Sequence, residues 1–186
     1  MKPYLPLLFL FACLNVSAQE DPGYSNLLKK VPEVELIDSL HIDETFPQVS
    51  QLDSMQVKKW FSPILGSTKN NRLRNRNYFL AGKITTNDNF DLLVLMEEKK
   101  KITDSSNVQV VYLISTKKDG TYIASLEAAV AGIKKRSSYN TSSWLYKDNK
   151  IVLDSKLLIN NEISYDDMVS YRINGRGRFI LSGKDE

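Results

Sequence analysis

Hydrophobic and polar positions change their period twice along this chain. Residues 20–49 show no sustained period and are interrupted by Pro22, Pro32 and Pro47. That stretch reads as an extended or partly ordered polar lead-in, with room for a short helix between Pro32 and Leu40. From Ser50 the spacing becomes helical, because Leu52, Met55, Val57 and Trp60 or Phe61 fall roughly on one side. Ser50 and Asp53 supply oxygens that cap free amides, and Pro63 ends the run. The pattern predicts an α-helix over about residues 51–61, with Met55, Trp60 and Phe61 in the core.

After a polar linker at 67–71 the period falls to two. Runs at 78–84, 90–96, 108–116, 121–133, 138–147, 150–159, 168–173 and 176–181 read as β-strands. Between them lie Thr86-Asn87-Asp88-Asn89, Asp119-Gly120, Asp148-Asn149 and Asn174-Gly175. The last three dipeptides tolerate positive φ and predict two-residue hairpin loops of type I′. The fold class is therefore all-β: an antiparallel meander of about eight strands preceded by a short α-helix. It closes as a barrel, stays an open sheet or resembles half a propeller. Without βαβ alternation, doubly wound nucleotide-binding folds are excluded. Asn174-Gly175-Arg176-Gly177-Arg178 lacks the spacing and the following helix of a dinucleotide fingerprint, and is a turn.

Turn register fixes cross-strand neighbours. A two-residue loop at Asp119-Gly120 sets Leu113 opposite Leu126 and Val111 opposite Ala128. The other face then pairs Val108 with Ala131, Val110 with Ala129 and Tyr112 with Glu127. Both faces are substantially apolar, so this hairpin belongs at the centre, covered at least in part on both sides. Glu127 stands alone among alanines. Buried and unpaired it would be costly, which places it at a rim or beside a Lys or Arg, unless it faces a ligand together with Tyr112. The same arithmetic at Asp148-Asn149 stacks Tyr146 on Ile151 and Trp144 on Leu153. Tyr139, Trp144 and Tyr146 on this serine-rich strand are candidate platforms for a sugar or another polar ligand. Their simpler role is cross-strand packing.

Arg72, Arg74 and Arg76 alternate, so an extended strand would aim all three to one side. They are candidate anion-binding residues for phosphate or carboxylate groups of an envelope polysaccharide or anionic lipid. Protection of a sheet edge is the simpler role. Lys99-Lys100-Lys101, Lys134-Lys135-Arg136 and Asp166-Asp167 read as solvated loop charges.

Composition narrows the chemistry. The 186 residues include one cysteine, Cys13, and one histidine, His41, at a formal net charge of +3. A Cys/His zinc site and a disulfide framework are excluded. No cofactor and no metal are implied: Asn87 to Asp91 resembles the calcium loops of propeller repeats, but lacks their glycine and their length. A Ser-His-Asp triad would have to recruit His41 from the lead-in, and no Gly-x-Ser-x-Gly elbow is present. Asp91, Glu127 and Asp154, all on strands, are what remains for a hydrolase using two carboxylates. The basic surplus lies after residue 70 and is spread thinly, which argues against nucleic acid as a partner.

Met1-Lys2, the apolar run 4–12 and Val16-Ser17-Ala18 before Gln19 form the three parts of a secretory signal peptide. Leu10-Phe11-Ala12-Cys13 resembles the lipobox of bacterial lipoproteins, with Phe11 departing from its usual small residue, so an outer-membrane lipoprotein anchored at Cys13 is the alternative. The run is too short for a permanent span, which needs ~20 residues, and no later stretch is longer. The expected organisation is a signal peptide at 1–18, a lead-in at 19–49 and one domain at 50–186. The expected function is that of an exported, periplasmic or secreted, non-enzymatic binding module. Its partner would be a polysaccharide, an anionic envelope component or another envelope protein. A lipocalin-like carrier of a small ligand and an exported hydrolase are the alternatives.

Overall fold

The computed structural model describes residues 22–86, 89–100, 106–134 and 136–184. The signal segment, Cys13, the Asn87-Asp88 pair, Lys101 and Lys135 lie outside the described residues. The lead-in is structured rather than extended: helix α1 (Pro22–Leu28), strands β1 (Glu33–Val34) and β2 (Ser39–Ile42), with no helix between Pro32 and Leu40. Strand β3 (Ser50–Leu52), helix α2 (Ser54–Trp60), a 3-10 segment (Ser62–Thr68) and helix α3 (Lys69–Asn75) follow. The meander is β4 (Arg76–Ile84), β5 (Asp91–Lys99), β6 (Ser106–Thr116), β7 (Tyr122–Lys134), β8 (Ser137–Tyr146), β9 (Lys150–Ile159), β10 (Glu162–Ile173) and β11 (Phe179–Lys184).

All eight expected meander strands form, and they pair in sequential order. The chain is mostly β, in an eleven-stranded mixed sheet that is not closed. Among the described residues the one parallel pairing is that of β1 with β4. An open sheet replaces the barrel that a lipocalin-like carrier would need.

The sheet folds over on itself. β7 pairs with β8 only over Val130–Lys134 and Ser137–Thr141, after which β2 takes the place beside β8, His41 against Trp144. The two halves diverge there and close on a shared core. Leu92, Val94, Val111 and Leu113 from one half meet Leu145, Ile151 and Ile173 from the other, with Ile42 of β2 inserted. On the outer side of the first half, α1, α2 and the 3-10 segment cover Leu80, Leu93, Leu95 and Ile114. β6 is thus covered on both faces, while β7 is covered by the shared core on one face and leaves Glu127 exposed on the other.

The helix near residue 51 begins later than expected. Ser50–Leu52 pairs with β4 instead, and Asp53 caps α2 in a reciprocal pair with Gln56. Met55 is 81% exposed and lies outside the core, while Val57, Trp60 and Phe61 are buried. The expected linker at 67–71 is helical throughout, closing the 3-10 segment and opening α3.

The three turns share a geometry that differs from type I′. Gly120, Asn149 and Gly177 have φ of 86°, 65° and 76°, while their preceding residues stay at negative φ. Gly120 N–H donates to Lys117 O, Asn149 N–H to Tyr146 O and Gly177 N–H to Asn174 O. Each is a three-residue loop built on a type I turn, closed by a left-handed residue. The extra loop residue shifts register by one. In the first hairpin a bulge at Ser115/Thr116 restores it, so Leu113–Leu126 and Tyr112–Glu127 pair as expected. A second bulge at Val111/Tyr112 then moves Val111 onto Ala129, Val110 onto Val130 and Val108 onto Gly132. β8 and β9 lack such compensation, so Trp144 faces Val152 and Leu145 faces Ile151. Asn160-Asn161, with φ of 53° and 68°, forms a two-residue turn of the kind expected. It makes Asp166 and Asp167 part of β10 rather than of a loop.

Candidate functional site

Strand β5 carries a carboxylate at each end of an apolar pair. Asp91, Leu93, Leu95 and Glu97 share one face by strand alternation, and Leu93 and Leu95 lie beneath the helices. Asp91 is 3% exposed and Glu97 1% exposed. Burying either charge demands partners, and each has two cations: Lys118 and Lys83 at Asp91, Arg72 and Arg76 at Glu97.

The expected strand through Arg72, Arg74 and Arg76 does not form. Arg72 and Arg74 lie in α3, and Arg76 opens β4. Arg72 and Arg76 are four residues apart, about one helical turn, and converge on Glu97. Arg72 grips both carboxylate oxygens, with Nε donating to Oε1 at 3.1 Å and Nη2 to Oε2. Its Nη2 also donates to Tyr112 OH at 2.7 Å and its Nη1 to Ile64 O. Arg76 Nε lies 3.3 Å from Glu97 Oε1, and its Nη1 donates to Val108 O at 3.0 Å. Tyr112 OH donates to Glu97 Oε2 at 3.3 Å.

Burial opposes the Arg72 charge, yet its hydrogen bonds and charge interactions with Glu97 and Tyr112 together outweigh that cost and hold it more firmly protonated than usual. Burial, and then the Glu97 charge, raise the Tyr112 phenol well above its ordinary range. The same two causes push Tyr78 up to about 12. The cluster is a lattice of arginine donors shared among the Glu97 carboxylate, the Tyr112 hydroxyl and the Ile64 and Val108 carbonyls.

This lattice floors an open cleft of about 880 Å³. Arg74, Lys99 and Lys100 join Arg72 and Arg76 around it, against Glu97 and Glu127 as its carboxylates. The three candidate arginines therefore reach one cleft, two from a helix and Arg76 from the first residue of a strand, and Tyr112 and Glu127 line it too. Glu127 is exposed at its rim, the position that avoids burying a lone charge.

The remaining candidates lie elsewhere. Trp144 and Tyr146 are 42% and 38% exposed. Trp144 stacks on His41 with ring centroids 4.4 Å apart, and His41 Nδ1 approaches Asp43 at 3.3 Å. Tyr139 is half-buried and points to the opposite face of β8 by alternation. Asp91 lines a smaller pocket with Tyr24, Lys29, Lys83 and Lys118, while Asp154 pairs with Lys156 on β9. The three carboxylates considered for hydrolysis do not share a site.

Sequence reading missed Glu97. It follows Met96 at the polar end of an apolar run, where a charge looks like an ordinary strand terminus. What distinguishes it is the fold above it, which the local sequence does not contain. Compared with known protein families, curated proteins and solved structures, the chain matches none.

Proposed function

We propose that this protein is an exported, non-enzymatic binding module that captures an anionic component of the cell envelope in the arginine cleft. The observation that carries this reading is the cleft lining: five cationic side chains against two carboxylates. One of those carboxylates, Glu97, is already shared between Arg72 and Arg76. The signal-like N-terminus and the cleavage site before Gln19 support export. The Arg72–Glu97–Tyr112 lattice supports binding over catalysis, since its donors and acceptor satisfy one another and leave a rigid floor.

Cosedimentation of the purified protein with polygalacturonate and with dextran tests the reading. Polygalacturonate is expected to bind and to be released by salt, because exposed charges are screened within ~10 Å at 0.1 M ionic strength. The double substitution Arg74→Glu with Lys100→Glu should abolish that binding and leave the circular dichroism spectrum unchanged. Equal retention on dextran would sink the proposal. Intact mass of the exported protein should show a start near Gln19; a diacylated Cys13 would assign it to the lipoproteins instead.

A further inference from the structure

Resting on the reading of the cleft as an anion site, we infer that its ligand is a phosphorylated sugar, held with its phosphate at the α3–β4 wall and its hydroxyls toward β7. The cleft is polarised across the sheet. Arg74, Arg76 and Lys100 stand on the α3, β4 and β5 side, Val110 and Tyr112 on β6 form the middle, and Glu127 on β7 closes the far side. Three strand spacings separate β4 from β7, about 14 Å at ~4.8 Å each. That span exceeds a bare phosphate and accommodates a phosphate joined to a pyranose ring.

The charges select the head group. Arg72 is consumed by Glu97, Tyr112 and Ile64 O. Arg76 keeps Nη2 after Nε and Nη1 are engaged. Arg74 and Lys100 are exposed, and their side chains enter none of the ion pairs among the described residues. A single carboxylate is satisfied by one guanidinium fork and leaves the other cations unpaired. A phosphomonoester carries about −1.5 to −2 at pH 7 and three acceptor oxygens, so it takes donors from Arg74, Arg76 and Lys100 together.

Glu127 selects the other end. An exposed carboxylate only accepts hydrogen bonds, so it repels a second anion and receives hydroxyl donors. Between the two poles, half-buried Val110 offers an apolar contact to the C–H face of the sugar. Tyr112 is 3% exposed and its hydroxyl is turned to Glu97 and Arg72.

Calorimetric titration of the purified protein tests this with glucose 6-phosphate, inorganic phosphate, glucose, polygalacturonate and vesicles containing phosphatidic acid. Glucose 6-phosphate should saturate one site at least about tenfold more tightly than inorganic phosphate, and glucose should not bind. Arg74→Ala with Lys100→Ala should weaken both phosphate probes about tenfold or more at unchanged melting temperature. Glu127→Gln should weaken glucose 6-phosphate alone. Vesicle binding that glucose 6-phosphate displaces would support the same phosphomonoester chemistry from a lipid-borne source; vesicle binding that it does not displace would overturn the inference. Binding of polygalacturonate with neither phosphate probe would overturn the phosphate assignment and leave the anion cleft standing. If no anion binds, both fall.

Discussion

At the scale of single residues, Glu97 and Glu127 show how far position outweighs chemistry. Both are carboxylates on the same cleft, yet one is almost wholly buried and held by two arginines while the other stands at the rim. Removing the charge from Glu97 leaves Arg72 and Arg76 facing a buried neutral amide. Glu97→Gln is therefore expected to cost about 3–5 kcal/mol in urea denaturation, and Glu127→Gln no more than about 0.5 kcal/mol. The buried phenols predict an alkaline limit. Tyr78 sits at about 12 in the folded chain, against about 10 when unfolded. Below pH 10 both states keep the proton and its contribution is intact. Between pH 10 and 12 the unfolded chain releases it first, so stability falls as pH rises. Denaturation midpoints should hold up to about pH 10 and decline steadily above it, with Tyr112 and Tyr24 shifting in the same direction. Midpoints unchanged at pH 12 would mean that these phenols are not buried.

At the scale of elements, the hairpins depend on single left-handed residues. Gly120 combines φ of 86° with Tyr24 lying across it: a Cβ there would come within 2.7 Å of the Tyr24 ring. Gly120→Ala should destabilise by about 1–3 kcal/mol through backbone strain, with displacement of Tyr24 from its hydrogen bond to Thr116 adding to it. Asn149 has φ of 65°, is half-buried, and its buried Oδ1 has no hydrogen-bond partner among the described residues. Asn149→Gly should be neutral or slightly stabilising, because glycine takes that conformation without a Cβ penalty. Thermal melts of the two variants separate the local requirement from the tertiary one. These loops also explain which pairings were legible. Asp-Gly and Asn-Gly marked the hairpins, but not whether two or three residues close them, and one residue decides the face of every partner. Leu113 met Leu126 because a bulge cancelled the extra residue, whereas Trp144 did not meet Leu153 because nothing cancelled it.

At the scale of the whole molecule, the lead-in is part of the core. Tyr24 and Ile42 are fully buried, Tyr24 under the helical layer and Ile42 between the two halves of the sheet. β2 also fills the gap where β8 leaves β7. A chain beginning at residue 50 is expected to lose cooperative unfolding and amide dispersion in NMR spectra, since both core faces would be opened at once. A well-dispersed spectrum from that truncation would show the meander to be self-sufficient.

The sequence by itself determined the strands of the meander and their order. Period-two alternation, turn dipeptides and the absence of βαβ units are local signals, and all eight meander strands follow from them. It also left Glu127 either a rim or a cationic partner, because burying a lone charge is costly. It grouped the three arginines by proximity, though on a strand that does not form. Tertiary structure alone decided what those residues become. Glu97 is an ordinary strand end until α3 lays Arg72 over it, and Arg72 and Arg76 become its partners only because residues 69–75 wind into a helix. His41 meets Trp144 across a gap that opens only when the sheet folds over. Each of these contacts joins segments far apart in the chain, and their geometry depends on bulges and loop lengths that no single window of sequence encodes.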